Sequence, residues 1–221
     1  MALPPPPASP SIGSDTPRLQ RLKSQPRGPG EASFFFQDAH FKCEAVRLLP
    51  GEYFVDTEDT LIVTTLGSCI AACLWDRDAR IGGMNHFMLP DGAGDSGRYG
   101  SFAMEMLINQ MMKHGASRLA LEAKVFGGGQ IIGGAGANST LNVGERNTAF
   151  VLDYLKAERI PVVSRDVLGP HPRKVCFLPA SGKAMVKRLG QMNNDRLLAQ
   201  ERSAARQPTP QATGAGTVDL F

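Results

Sequence analysis

Cysteine is scarce in this chain, with four among 221 residues at positions 43, 69, 73 and 176. Their number and spacing exclude a disulfide framework and predict reduced thiols in a cytosolic protein. Net charge is small as well: 24 basic against 21 acidic residues leave +3. The Lys and Arg residues are scattered rather than gathered on one face, so nucleic-acid binding is not expected. No apolar run approaches the ~20 residues of a membrane span, and membrane insertion is not expected either. The first ten residues, MALPPPPASP, lack the charged start and apolar stretch of a secretory signal. What the chain does contain is ordinary: 42% hydrophobic and 20% charged residues, enough for one core of ~150–170 residues.

Composition divides the chain into three. Residues 1–30 are rich in Pro, Ser, Gly and Arg and read as a disordered tail. Residues 31–192 read as one catalytic domain, and 193–221 as a polar, loosely ordered tail. Three adjacent aromatics, Phe34, Phe35 and Phe36, mark the start of folded chain. Strands are expected over 42–49, 53–56, 61–65, 69–75, 80–89, 118–126, 161–167, 175–178 and 184–188. Helices are expected over 102–114, capped by Ser101 with Phe102, Met106, Ile108 or Asn109, and Met112 giving the helical period, and from the Asn142/Glu145 capping pattern to 159. Strands and helices mix without a strict βαβ rhythm, which predicts a layered α/β sandwich with a mixed, largely antiparallel sheet.

The stretch 61–90, LIVTTLGSCIAACLWDRDARIGGMNHFMLP, organises the rest. It reads as a hairpin of 69–75 and 80–89 about a polar turn, with 61–65 running beside it and Leu66-Gly67-Ser68 as a kink. A two-residue turn at Arg77 and Asp78 sets Trp75 opposite Arg80, Cys73 opposite Gly82 and Cys69 opposite His86. A thiol and an imidazole so opposed can share a proton, which makes Cys69 a candidate nucleophile and His86 its base. Such a base needs a third group to orient it; Thr64 is favoured, with Thr65 the alternative. The backbone near Gly67, Ser68 and Ile70 is the candidate oxyanion site, with His86 in its charged form lowering the thiol pKa. Gly82 and Gly83 would leave room for a substrate side chain.

Other residues have plainer explanations. Cys73 reads as core, His114 as a helix-end residue and His171 as a loop residue. The glycine run 127–136 lacks the Gly-Lys-Ser/Thr ending of a phosphate loop; it reads as a rim admitting a substrate backbone. Cys69, Cys73 and His86 fit no common zinc spacing, so neither a metal nor another cofactor is expected.

Taken together and in order, T-T-L-G-S-C, A-C-L-W-D, G-G-M-N-H-F-M-L-P, L-E-A-K-V-F-G-G and N-V-G-E-R-N closely resemble the CheD family, the chemoreceptor glutamine deamidases of bacterial chemotaxis. The resemblance covers residues 34–189. It implies that Cys69 is the nucleophile, His86 the base and Thr64 the accompanying threonine. It also implies a fold related to the deamidase domain of cytotoxic necrotizing toxins. The partners implied are methyl-accepting chemoreceptors and, in some bacteria, a CheC-type phosphatase. The implied reaction is hydrolysis of receptor glutamine to glutamate through a Cys thioester in the cytoplasm, with receptor methylesterase activity a possible extension through the same acyl-enzyme. The competing reading is a non-catalytic adaptor that docks on receptors or the phosphatase; a complete Cys69, His86 and Thr64 set favours the enzyme.

Overall fold

Period-two alternation through the middle of the chain builds ten strands, and two period-3.6 stretches between them build the longer helices. In the computed structural model, residues 15–90, 96–130 and 143–190 are described. The elements run α1 (Pro17–Ser24), β1 (Phe34–Asp38), β2 (Cys43–Arg47), β3 (Tyr53–Asp56), β4 (Leu61–Leu66), β5 (Ile70–Asp76) and β6 (Ile81–Asn85). They continue with α2 (Gly100–Lys113), β7 (Leu121–Gly127), α3 (Val143–Ala157), β8 (Val162–Val167), β9 (Arg173–Leu178) and β10 (Lys183–Arg188). There are two five-stranded sheets instead of one, ordered β1-β2-β4-β9-β10 and β3-β6-β5-β7-β8. Each is mixed: β2–β4 and β7–β8 are parallel, and the other pairs antiparallel.

Strand β4 does not run beside the hairpin. It belongs to the first sheet, between β2 and β9, while β5 and β6 belong to the second. The 66–69 kink is therefore the crossing from one sheet to the other. Ile62 and Leu66 of β4 meet Ala71, Cys73 and Met84 of the hairpin in one buried cluster between the sheets. The opposite face of the hairpin packs its Ile70, Ala72 and Leu74 against Ala103, Met104, Leu107, Ile108 and Met111 of α2, with Val151 and Leu155 of α3. Helices on one side of paired sheets give a three-layer arrangement.

Two expectations shift in detail. The buried stripe of α2 has the expected period and includes the expected Ile108, but it is otherwise shifted by one residue: Ala103, Leu107 and Met111 are buried, and Phe102, Met106 and Met112 flank them. Gly100 lets the start of α2 pack closely on α3; a Cβ there would lie 2.4 Å from the Phe150 ring. Ser101 lies within the helix rather than at its cap, which is Tyr99. The second shift concerns 15–30, expected as a solvated tail. Thr16 caps α1 by accepting from the Leu19 amide at 3.1 Å, and Leu19 is wholly buried in the inter-sheet cluster. Leu19, the bond from Thr16 Oγ1 to Glu44 (2.6 Å) and the pairing of Arg18 with Asp56 (2.9 Å) and Glu58 (3.0 Å) together hold this helix to the domain. Asn142 and the tail 193–221 lie outside the described residues.

Candidate active site

The β5–β6 hairpin closes with four turn residues rather than two. The Asp76 carboxylate accepts from the amides of Asp78 and Ala79 at 2.9 and 3.0 Å, and Arg80 takes φ 55°. Cys73 consequently pairs with Met84 and Trp75 with Gly82, two positions beyond the expected partners. The displacement is even, so every side chain keeps its face. Ile70 and Phe87 bridge by paired backbone bonds of 3.0 and 2.9 Å. Cys69 and His86 each precede one member of that bridge; they are diagonal neighbours on the inter-sheet face, not directly opposed.

Between Cys73–Met84 and the Ile70–Phe87 bridge the regular ladder is interrupted. The Ala72 amide donates to Asn85 Oδ1 at 3.0 Å, and Asn85 Nδ2 donates to the Ala103 carbonyl at 3.1 Å. His86 turns its own backbone to the other side: its amide donates to Glu52 and its carbonyl accepts from Gly51, at 2.9 and 2.7 Å. The imidazole is thereby placed between the sheets, 2% exposed.

Alternation along β4 separates the two threonines. Thr65 is half-buried, whereas Thr64 is 1% exposed and faces the inter-sheet space. Thr64 Oγ1 donates to the Leu48 carbonyl at 2.9 Å and lies 2.9 Å from His86 Nδ1. A hydroxyl has one proton, and here it is committed to Leu48, so Nδ1 must carry a hydrogen and donate to Oγ1. The lone pair is left on Nε2, a buried atom with no hydrogen-bond partner among the described residues. Burial pushes the imidazole pKa down from 6.5 to about 4, against a smaller upward pull from the Leu48 carbonyl. His86 is therefore neutral at physiological pH rather than the resident cation expected from sequence.

Cys69 is 1% exposed, in the same buried cluster as Leu66, Ala71 and Met88. Its turn is held by backbone from the end of β7: the Gly129 amide donates to the Gly67 carbonyl at 2.7 Å and the Gly128 amide to the Cys69 carbonyl at 2.8 Å. Gly127 has φ 113°, and a Cβ there would lie 2.1 Å from the Cys69 carbonyl oxygen. The described part of the glycine run thus admits the chain's own 67–69 turn, not a substrate backbone; 131–136 lie outside the described residues. The other cysteines are less acidic than free thiols. Burial raises the pKa of Cys43 and Cys176 and drives that of Cys73 far up.

Three sequence candidates do not belong to the site. The Ile70 amide is committed to Phe87, and its side chain faces the helices. Gly82 and Gly83 leave no space for a substrate: a Cβ on Gly82 would meet the Pro179 oxygen at 2.6 Å, and one on Gly83 would meet Val55 at 2.7 Å. Both lie toward the hairpin turn, beyond Met84 from His86.

Two residues were overlooked. Asn147 donates from Nδ2 to the carbonyls of Ser68 and Met88 at 3.0 and 2.8 Å. The signal was the helical spacing of Gly144, Asn147, Thr148 and Val151, which puts an amide on the inward face. Buried Arg173 donates to the carbonyls of His171 (3.0 Å) and Leu168 and pairs with Asp166 at 2.9 Å, bracing the loop beneath Gly129. No local pattern marked that arginine. Among the described residues, no cluster of three His, Cys, Asp or Glu side chains suits a metal, and no helix is long and apolar enough to cross a membrane.

Comparison with known proteins now bears on this arrangement. Residues 88–188 match the family model CheD, "CheD chemotactic sensory transduction". The "Probable chemoreceptor glutamine deamidase CheD 1" of Albidiferax ferrireducens is 58% identical over 208 residues, covering 92% of this chain and 87% of the relative. The chain belongs to the CheD family. A CheD of Thiobacillus denitrificans, with the corresponding name, is 52% identical over 86% of this chain and 96% of its own length. Another, from Dechloromonas aromatica, is 53% identical over 74% of this chain and 83% of its own. The family-model match begins at residue 88, beyond Thr64, Cys69 and His86.

Proposed function

We propose that this protein is a cytoplasmic protein-glutamine deamidase that converts glutamine side chains of methyl-accepting chemoreceptors to glutamate through a thioester on Cys69. The observation that carries the reading is the Leu48–Thr64–His86 relay, which fixes hydrogen on Nδ1 and leaves the Nε2 lone pair uncommitted among the described residues, on an imidazole that is the diagonal cross-strand neighbour of Cys69. The relatives' names support the substrate.

Because burial disfavours imidazolium, the proton leaves the thiol as the substrate arrives rather than beforehand. His86 Nε2 takes the Sγ proton while sulfur bonds to the carboxamide carbon. The carbonyl oxygen becomes an oxyanion held by amides of the 67–69 turn, the Ile70 amide being engaged elsewhere. The tetrahedral intermediate collapses; the C–N bond breaks, and His86 returns the proton to nitrogen, which departs as ammonia. Water then gives a proton to Nε2 and attacks the thioester carbon. The C–S bond breaks, glutamate leaves, and the thiol recovers its proton. Glutamine and water become glutamate and ammonia, with no cofactor in the balance. A glutamate methyl ester would enter the same thioester with methanol as leaving group. In this reading a CheC-type phosphatase is a binding partner, not a participant in the chemistry.

The test is incubation of purified protein with a chemoreceptor cytoplasmic fragment, followed by mass-spectrometric mapping of glutamine positions. Site-specific deamidation by the parent and none by folded Cys69→Ala is expected. Deamidation that persists in Cys69→Ala would overturn the assignment.

A further inference from the structure

Asn147 is wholly buried in α3, and the two hydrogens of its amide are divided between the Ser68 and Met88 carbonyls. One acceptor immediately precedes Cys69; the other lies two residues beyond His86. We propose that Asn147 is a positioning residue for the nucleophile, aiming the Ser68–Cys69 peptide and fastening the Cys69 turn to the segment that follows His86. The inference rests on the deamidase reading and adds a group that touches neither substrate nor reacting atoms.

Peptide geometry makes the connection. A trans peptide is planar, with its C=O and N–H directed to opposite sides. Holding the Ser68 oxygen on Asn147 therefore directs the Cys69 N–H away from α3. The neighbouring peptides are restrained likewise, Gly67 oxygen by the Gly129 amide and Cys69 oxygen by the Gly128 amide. Three successive carbonyls of the turn are thus tied to β7 and α3, and the donors on the reverse side have directions set before substrate arrives. The orientation of the Asn147 amide is dictated too. Reversed, it would place Oδ1 against two carbonyl oxygens. As oriented, Oδ1 accepts no hydrogen bond among the described residues, so the NH2 group does all the bonding. Asparagine is an indifferent helix former, and helix stability gives no reason for it at this inward position.

The test is steady-state deamidation of a receptor cytoplasmic fragment by full-length variants, with rates expressed per folded molecule from circular dichroism and thermal melts. Asn147→Ala is expected to lower kcat about 100-fold, the scale of a misplaced reacting group, with KM little changed. Asn147→Asp adds a signature that a merely structural bond would not produce. Its ionised carboxylate opposes two carbonyls, while the protonated acid restores one donor. The ratio of its kcat to that of the parent should therefore rise as pH falls. If Asn147→Ala does not fold, Asn147→Ser, which keeps one donor, is judged by the same kcat and KM. A folded Ala or Ser variant with parental kcat, or an Asp variant whose ratio ignores pH, overturns the proposal. Inactive Cys69→Ala beside a parental Asn147→Ala refutes the clamp alone; active Cys69→Ala refutes the underlying reading.

Discussion

Acid should destabilise this protein in part through one imidazole. His86 is neutral in the fold with a pKa of about 4, whereas the unfolded chain returns it to 6.5. The unfolded state then binds more protons throughout the interval, so stability is intact above pH 6.5 and declines as pH falls toward 4. A difference of about 2.5 units at ~1.4 kcal/mol each sets the ceiling at ~3.5 kcal/mol, with about 2 kcal/mol already lost at pH 5. Denaturant unfolding at pH 7.5 and pH 5 measures the total change, to which other groups contribute. The share of His86 is isolated by repeating both in His86→Gln, whose amide can still donate to Thr64 but cannot titrate. The parent should lose about 2 kcal/mol more than the variant between the two pH values. Equal losses, or an NMR titration of His86 centred near 6.5, would refute a buried neutral imidazole and with it the assignment of Nε2 as the waiting base.

Two further perturbations probe the same machinery. Thr64→Val removes the relay but leaves the Leu48 carbonyl and the Nδ1–H able to meet, so stability should fall by only about 1–2 kcal/mol. Deamidation should fall at least tenfold, as expected for a base that has lost its orienting partner, while Thr64→Ser keeps most of the parental rate; equal rates for Val and Ser would count against the relay. Gly127→Ala forces a Cβ toward the Cys69 carbonyl, 2.1 Å away, at φ 113°. It should cost about 2–4 kcal/mol in thermal or denaturant unfolding and reduce deamidation in the molecules that still fold; a variant as stable as the parent would show that the turn tolerates a side chain there.

Much of this molecule was legible because much of it is local. β3 spans the expected 53–56, and the strand near the middle and those near the end fall within a few residues of their alternating patterns. Thr64 was favoured over Thr65, and alternation along β4 does put Thr64 on the buried face. The hairpin, too, was legible as a hairpin. Its register was not, because the number of turn residues depends on whether Asp76 folds back on the amides of Asp78 and Ala79, which no periodicity records.

What escaped was whatever depends on a second element arriving. Glycine at 82 and 83 looks like empty space in a string of letters. In three dimensions those absent side chains are where Pro179 and Val55 already sit. The 66–68 kink read as a bend between neighbouring strands of one sheet, yet it carries the chain between two, and only a partner sheet lets Thr64 on β4 reach His86, which directly follows β6. The charge state of His86 was misjudged for the same reason. A thiol nearby suggests a cation from sequence, whereas the Coulombic benefit of that pairing must exceed the cost of taking the imidazolium out of water. Enclosure between two five-stranded sheets decides that balance for the neutral ring, which is why the proposed mechanism moves the proton as the substrate arrives rather than storing it in advance.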